Sequence, residues 1–169
     1  MTGYLAQKRW DEYFIGLCIY AAKKSKDRST KLGAVIVGPE NQVLSMGYNG
    51  FPRGVDDEQE EYHERPLKYL ITEHAERNAI YNAALSGISL RGSTLYLPFE
   101  PTPCCRCTRG VIQAGVVSIV GTTIKFTGKG KQWDEDLAFA NQMLKQARLS
   151  QRRVVVEEGS ELDIRTIQP

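Results

Sequence analysis

Hydrophobic positions recur at spacings of three and four through the first part of the chain, where Trp10, Phe14, Leu17, Cys18 and Ala21 share one face of a helix expected over residues 8–24. The period then changes. Short β-branched runs at 33–37 and 42–48 flank the turn-like cluster Gly38-Pro39-Glu40-Asn41, which reads as a hairpin. Residues 49–54 have loop composition, and the acidic stretch 56–64 continues them without an apolar period, so exposed backbone is expected there. Helical character returns over 72–85, with Thr72 as the N-cap and Gly87 as the stop. A strand at 93–97, a proline-rich turn at 98–103, a short helix at 104–114 closed by Gly115, a strand at 116–120, a helix at 134–148 and a strand at 153–156 complete the pattern. A hairpin followed by alternating helices and strands predicts one layered α/β domain with parallel crossovers. Residues 158–169 are expected to form an exposed C-terminal tail.

Composition narrows this reading. A chain of 169 residues, 41% of them hydrophobic, can bury a core of its own as a single domain. No apolar run approaches the ~18–20 residues that cross a bilayer, and residues 1–10 lack a hydrophobic signal core, so a cytoplasmic protein without a membrane partner is expected, in the host cytoplasm if the chain is viral. A net charge of +2 lacks the cationic excess of proteins that hold long nucleic acids through their phosphates. In a reducing compartment, four unevenly spaced Cys are better read as free thiols or metal ligands than as disulfides.

Two motifs carry chemistry. His74-Ala75-Glu76 stands at the start of one expected helix, and Pro103-Cys104-Cys105-Arg106-Cys107 opens the next. Cys104 and Cys107, three apart, share a helix face, whereas Cys105 is turned away by about 100°. Helix N-termini also favour thiolates. With His74 as the third ligand, a tetrahedral ion keeps its fourth position open, as in catalytic rather than structural zinc sites. Glu76 would then take a proton from the attacking water, give it to the ring nitrogen of the base, and afterwards deliver a proton to the departing amine. The pair of motifs matches the zinc deaminase signature of H-x-E followed by P-C-x-x-C. A Cys-x-x-Cys pair alone also suits a redox couple or half of a structural site. Completion of four ligands by Cys105 is opposed by its helix face, and by His63 by its place in the acidic loop.

Beyond these motifs the chain resembles the deoxycytidylate (dCMP) deaminase branch of the cytidine deaminase superfamily over roughly residues 11–147. The likeness includes residues 11–17, the segment 25–37 and Gly47-Tyr48-Asn49-Gly50-Phe51-Pro52-Arg53-Gly54. The resemblance implies a three-layer α/β/α sandwich with a mixed five-stranded sheet. It also implies one Zn²⁺ held by His74, Cys104 and Cys107, with Glu76 as catalytic proton shuttle in hydrolysis of dCMP to dUMP and ammonia, at a cyclic amidine C–N bond. Substrate contacts are implied for the Ala75 N–H to the pyrimidine carbonyl and for Asn49 to the sugar, with Phe99 as an aromatic wall. Many relatives are hexamers activated by dCTP and inhibited by dTTP, which implies an effector or phosphate site at Tyr48, Asn49, Gly50 and Arg53, with Lys26 and Lys31, and Mg²⁺ accompanying a triphosphate. The cations Lys23, Lys24, Lys26, Arg28 and Lys31 read equally as a solvated helix end. The segment 97–103 is longer than the usual approach to the cysteines, and no second zinc is expected. Alternatives are deamination of CMP, a 5-substituted dCMP or cytidine, and a catalytically silent zinc-containing nucleotide-binding protein.

Overall fold

A computed structural model of the chain describes residues 2–125 and 131–169. Its five strands are β1 (Gly33–Val37), β2 (Val43–Tyr48), β3 (Thr94–Tyr96), β4 (Ser118–Thr122) and β5 (Ser150–Val154). They form one mixed sheet in the order β2-β1-β3-β4-β5. β1 is antiparallel to both β2 and β3, while β3, β4 and β5 run parallel. The expected hairpin is thus present, and Asn41 supplies its left-handed residue with φ of 62°.

Alternation along β1 distributes its side chains to two cores. Ala34 and Ile36 join Leu95, Leu97 and Ile119 beneath α3 (Ala75–Leu85), α4 (Cys105–Gln113) and α5 (Lys131–Gln146). Val35 and Val37 join Tyr96, Val120 and Val154 against Phe14, Ile15 and Cys18 of α1 (Thr2–Ala22). This is the anticipated three-layer sandwich, and Cys18 is the small core residue its helical position suggested. Glycine permits both layers to approach closely. A Cβ on Gly33 would lie 2.0 Å from the Cys18 carbonyl oxygen, and one on Gly47 would lie 2.3 Å from the Ala79 nitrogen. Among the described residues no helix is long and apolar enough to cross a membrane.

Four local expectations are corrected. Thr72 does not cap the helix that carries Glu76; it closes the short α2 (Leu67–Ile71), and His74 is the N-cap of α3. Glu73 is held extended by two backbone hydrogen bonds to Gly50, of 3.0 and 2.8 Å, so helix can begin only after it. The last strand lies at Ser150–Val154 rather than 153–156, because parallel pairing with β4 sets its register and an edge strand tolerates polar residues. The acidic stretch contains a 3-10 turn, Glu60–His63, that stays on the surface. Residues 158–169 are not an exposed tail. A 3-10 turn at Ile164–Ile167 returns Ile164, 3% exposed, to the α1 core, and Asp163, 2% exposed, caps that turn.

Candidate active site

The two signature motifs meet where α3 and α4 begin. His74 and Cys104 are the N-cap residues, both with extended backbone, so each side chain leaves its helix at the turn into it. His74 Nδ1 lies 3.5 Å from Cys104 Sγ and 3.4 Å from Cys107 Sγ. The three ligand atoms lie within 4.8 Å of one another, a spacing that a single ion can bridge. One imidazole and two thiols are a donor set suited to zinc.

Glu76 stands one residue further along the same helix start as Ala75. It is 2% exposed, and its Oε2 is buried without a hydrogen-bond partner. Burial pushes the Glu76 carboxyl above its ordinary value. A buried carboxylate oxygen left unpaired costs free energy unless a water or a ligand completes it, which fits a metal centre with a water beside it. The thiols are electrostatically unequal. The Cys107 thiol, by hydrogen bonding, and His74 bring Cys104 down to about 4, whereas that same bond and burial push Cys107 up. The contact with Cys104 raises His74.

His74, Glu76, Cys104 and Cys107 therefore converge as the motifs suggested, and Ala75 presents an N–H that precedes the first intrahelical bond, Asn78 N–H to the His74 carbonyl. Cys105 faces away, its thiol donating to the Asp136 carbonyl at 3.0 Å. The glycine-rich loop adjoins this helix start: Gly50 bonds Glu73, and the Asn78 amide donates to the Tyr48 carbonyl at 2.8 Å. Asn49 is buried, and its amide hydrogens are spent on Asp27 at 3.1 Å and the Thr30 carbonyl at 2.8 Å, while its oxygen accepts from Leu32 N–H at 2.8 Å. Any sugar contact is left to the second lone pair of that oxygen. Phe99, 6% exposed, belongs to the core cluster between the sheet and α3, α4 and α5.

The expected phosphate ligands surround the loop, outside the His-Cys cluster. Lys26 pairs with Asp57 at 2.6 Å, and Arg28 with Glu60 at 2.5 Å. Arg53 donates to Asn82 on α3, and Lys31 exchanges backbone hydrogen bonds with the Gln168 side chain, both of 2.8 Å. Two participants escaped the sequence reading. Arg77, next to Glu76 in the sequence, pairs with Glu73 at 2.7 Å, and its charge only partly offsets the hydrogen bond from Cys104 and the burial that push Cys107 up. Lys68, half-buried, pairs with the buried Asp27 at 2.6 Å and reaches Ser29. No local pattern marks Lys68, and only the fold joins it to a residue 41 positions away.

Comparison with known proteins places this geometry in a family. The profile of the cytidine and deoxycytidylate deaminase zinc-binding region matches residues 8–123. A probable deoxycytidylate deaminase of Drosophila melanogaster is 35% identical over 130 residues, covering 71% of this chain and 62% of its own. The deoxycytidylate deaminase of Homo sapiens is 33% identical over 122 residues, covering 69% of this chain and 66% of its own. The chain thus spans just under two thirds of the length of these curated relatives. The crystal structure of dCMP deaminase from the cyanophage S-TIM5 superposes with a TM-score of 0.61 at 21% identity, over 85% of this chain and 96% of that one, and shares its fold. Because the profile runs through both helix starts and spans more than half of the sequence, the chain belongs to the cytidine and deoxycytidylate deaminase zinc-binding family.

Proposed function

We propose that the chain is a zinc-dependent deaminase that hydrolyses dCMP to dUMP and ammonia. The observation that carries this reading is the buried, unpartnered Glu76 carboxylate oxygen beside a His-Cys-Cys cluster. A structural zinc site has no use for such a group. His74, Cys104 and Cys107 would hold the ion, which when bound supplies Lewis acidity that makes a water molecule nucleophilic near neutral pH. Glu76 would take one proton of the attacking water and pass it to the ring nitrogen next to the reacting carbon, then take the remaining proton of the newly added hydroxyl and deliver it to the departing amine. The Ala75 N–H donates to the pyrimidine carbonyl, and the burial of Glu76 keeps its proton from bulk solvent. General acid–base transfer of this kind contributes typically ~10²–10⁴-fold.

The choice of dCMP rests on the names of relatives at 33–35% identity and on the glycine-rich loop tied to the zinc helix. The proposal extends to a homo-oligomer, with a hexamer favoured, regulated by dCTP and dTTP at the Tyr48-Asn49-Gly50 loop with Mg²⁺ on the triphosphate. Lys26 and Arg28 already carry acidic partners, so effector phosphates would have to displace Asp57 and Glu60. The test is ammonia release from dCMP, deoxycytidine, CMP, 5-methyl-dCMP and cytidine, with and without dCTP and dTTP. Turnover of dCMP far above deoxycytidine is expected; equal rates would remove the nucleotide assignment, and turnover of none would remove the deaminase reading.

A further inference from the structure

α4 begins with an unusual capping problem. The N-cap of a helix ordinarily accepts one of the first free N–H groups through its own side-chain oxygen. Here the N-cap is Cys104, whose side chain makes no capping hydrogen bond and turns to His74 instead. A cap residue that serves as a metal ligand cannot also satisfy the helix start. The missing acceptor comes from another element. Asp136, in the second turn of α5, places Oδ2 2.8 Å from the Cys105 N–H, the first N–H of α4. Its backbone carbonyl also accepts the Cys105 thiol at 3.0 Å. Cys105, one of the two residues between the cysteine ligands, is therefore gripped twice by one residue of α5, while Thr108 ties the other side of the turn to the Pro103 carbonyl at 3.1 Å.

We propose that Asp136 is a positioning residue of the metal centre: it caps α4 from α5 and thereby fixes Cys104 and Cys107 relative to His74. The inference rests on the reading of these three residues as zinc ligands. The carboxylate contacts the backbone N–H of the residue that directly follows Cys104 and stands two before Cys107, and it is drawn to the positive end of the helix dipole. Groups that orient ligands without touching the ion typically account for about 10–100-fold in metal affinity.

The experiment is Zn²⁺ affinity of the full chain by competition with a chromophoric chelator, together with the absorption of the Co²⁺-substituted protein, whose thiolate-to-metal and ligand-field bands report ligand geometry. Asp136→Ala is expected to weaken Zn²⁺ by about 10–100-fold and to shift the Co²⁺ bands. Asp136→Asn keeps an acceptor oxygen without the charge, and it is expected to hold Zn²⁺ close to wild type with unshifted bands. Unchanged affinity and spectrum in Asp136→Ala would overturn the proposal, as would equal weakening in both variants. If Asp136→Ala does not fold, Asp136→Asn alone decides, retention supporting the cap and loss overturning it. Wild-type protein that takes up no Zn²⁺ would overturn the metal reading itself, and this inference with it.

Discussion

Glu76 is the residue on which the chemistry turns. Its replacement by Gln keeps size and burial but removes the proton acceptor, so zinc content measured by atomic emission should stay at the wild-type level while ammonia release from dCMP falls by about 10²–10⁴. Unchanged turnover would end the shuttle role. Lys68 and Asp27 make a structural case at the same scale. Burial alone would raise Asp27, but the Lys68 ammonium, with the N–H groups of Ser29 and Thr30, outweighs it and holds the carboxyl below its ordinary value. Lys68→Met strands a buried carboxylate and should cost about 3–5 kcal/mol in denaturant unfolding. Adding Asp27→Asn should recover much of that loss, since the two residues act as one pair. His74, Glu76, Cys104 and Cys107 were readable in the sequence because a short motif fixes each pair along a helix. Lys68 and Arg77 were not, because a tertiary contact brings Asp27 to Lys68 and the backbone pairing with Gly50 holds Glu73 beside Arg77.

Elements show where pattern reading stops. The helix that bears Glu76 was legible from its alanines, but its start was not: the Gly50–Glu73 backbone pairing, invisible to local propensity, moves the cap from Thr72 to His74 and so puts the ligand at the helix mouth. β5 was misplaced for a related reason, since its register belongs to β4. The contact between β2 and α3 depends on Gly47, and Gly47→Ala should destabilise the protein by about 1–3 kcal/mol and weaken Zn²⁺ binding, because α3 must retreat and carry His74 with it. Wild-type Zn²⁺ affinity in that variant would separate the strand contact from the site. The C-terminal turn offers a pH test. The Arg165 guanidinium holds Asp163 at about 2, below its ordinary 3.8. A lowered carboxylate stabilises the docked segment above its ordinary value and loses that contribution as the pH falls through the folded one. Protection against hydrogen exchange in residues 159–168, taken relative to the intrinsic exchange rate at each pH, should therefore fall between about pH 4 and pH 2, earlier than in β1. Equal exchange in both segments would deny the turn a separate latch.

At the scale of the molecule, the order of hydrophobic periods conveyed a layered α/β domain with a hairpin and parallel crossovers, because the element order leaves few ways to connect one sheet, while the three-layer sandwich came from the family resemblance. The docked C-terminus was missed because Ile164 and Asp163 stand among charged residues, and their value lies in a core built by α1. Exposed apolar side chains on edge strand β2 and α3, among them Met46, Tyr48, Tyr81 and Leu85, are consistent with further burial between copies. Sedimentation is expected to give a multiple of the 19.0 kDa chain, near sixfold, and a monomer at micromolar concentration would refute the assembly. The most direct test of the whole account is titration of Zn²⁺ into metal-stripped protein while dUMP formation from dCMP is followed. Turnover should rise in proportion to bound metal and saturate at one Zn²⁺ per chain; dUMP formation without metal, or none at one Zn²⁺ per chain, would contradict it.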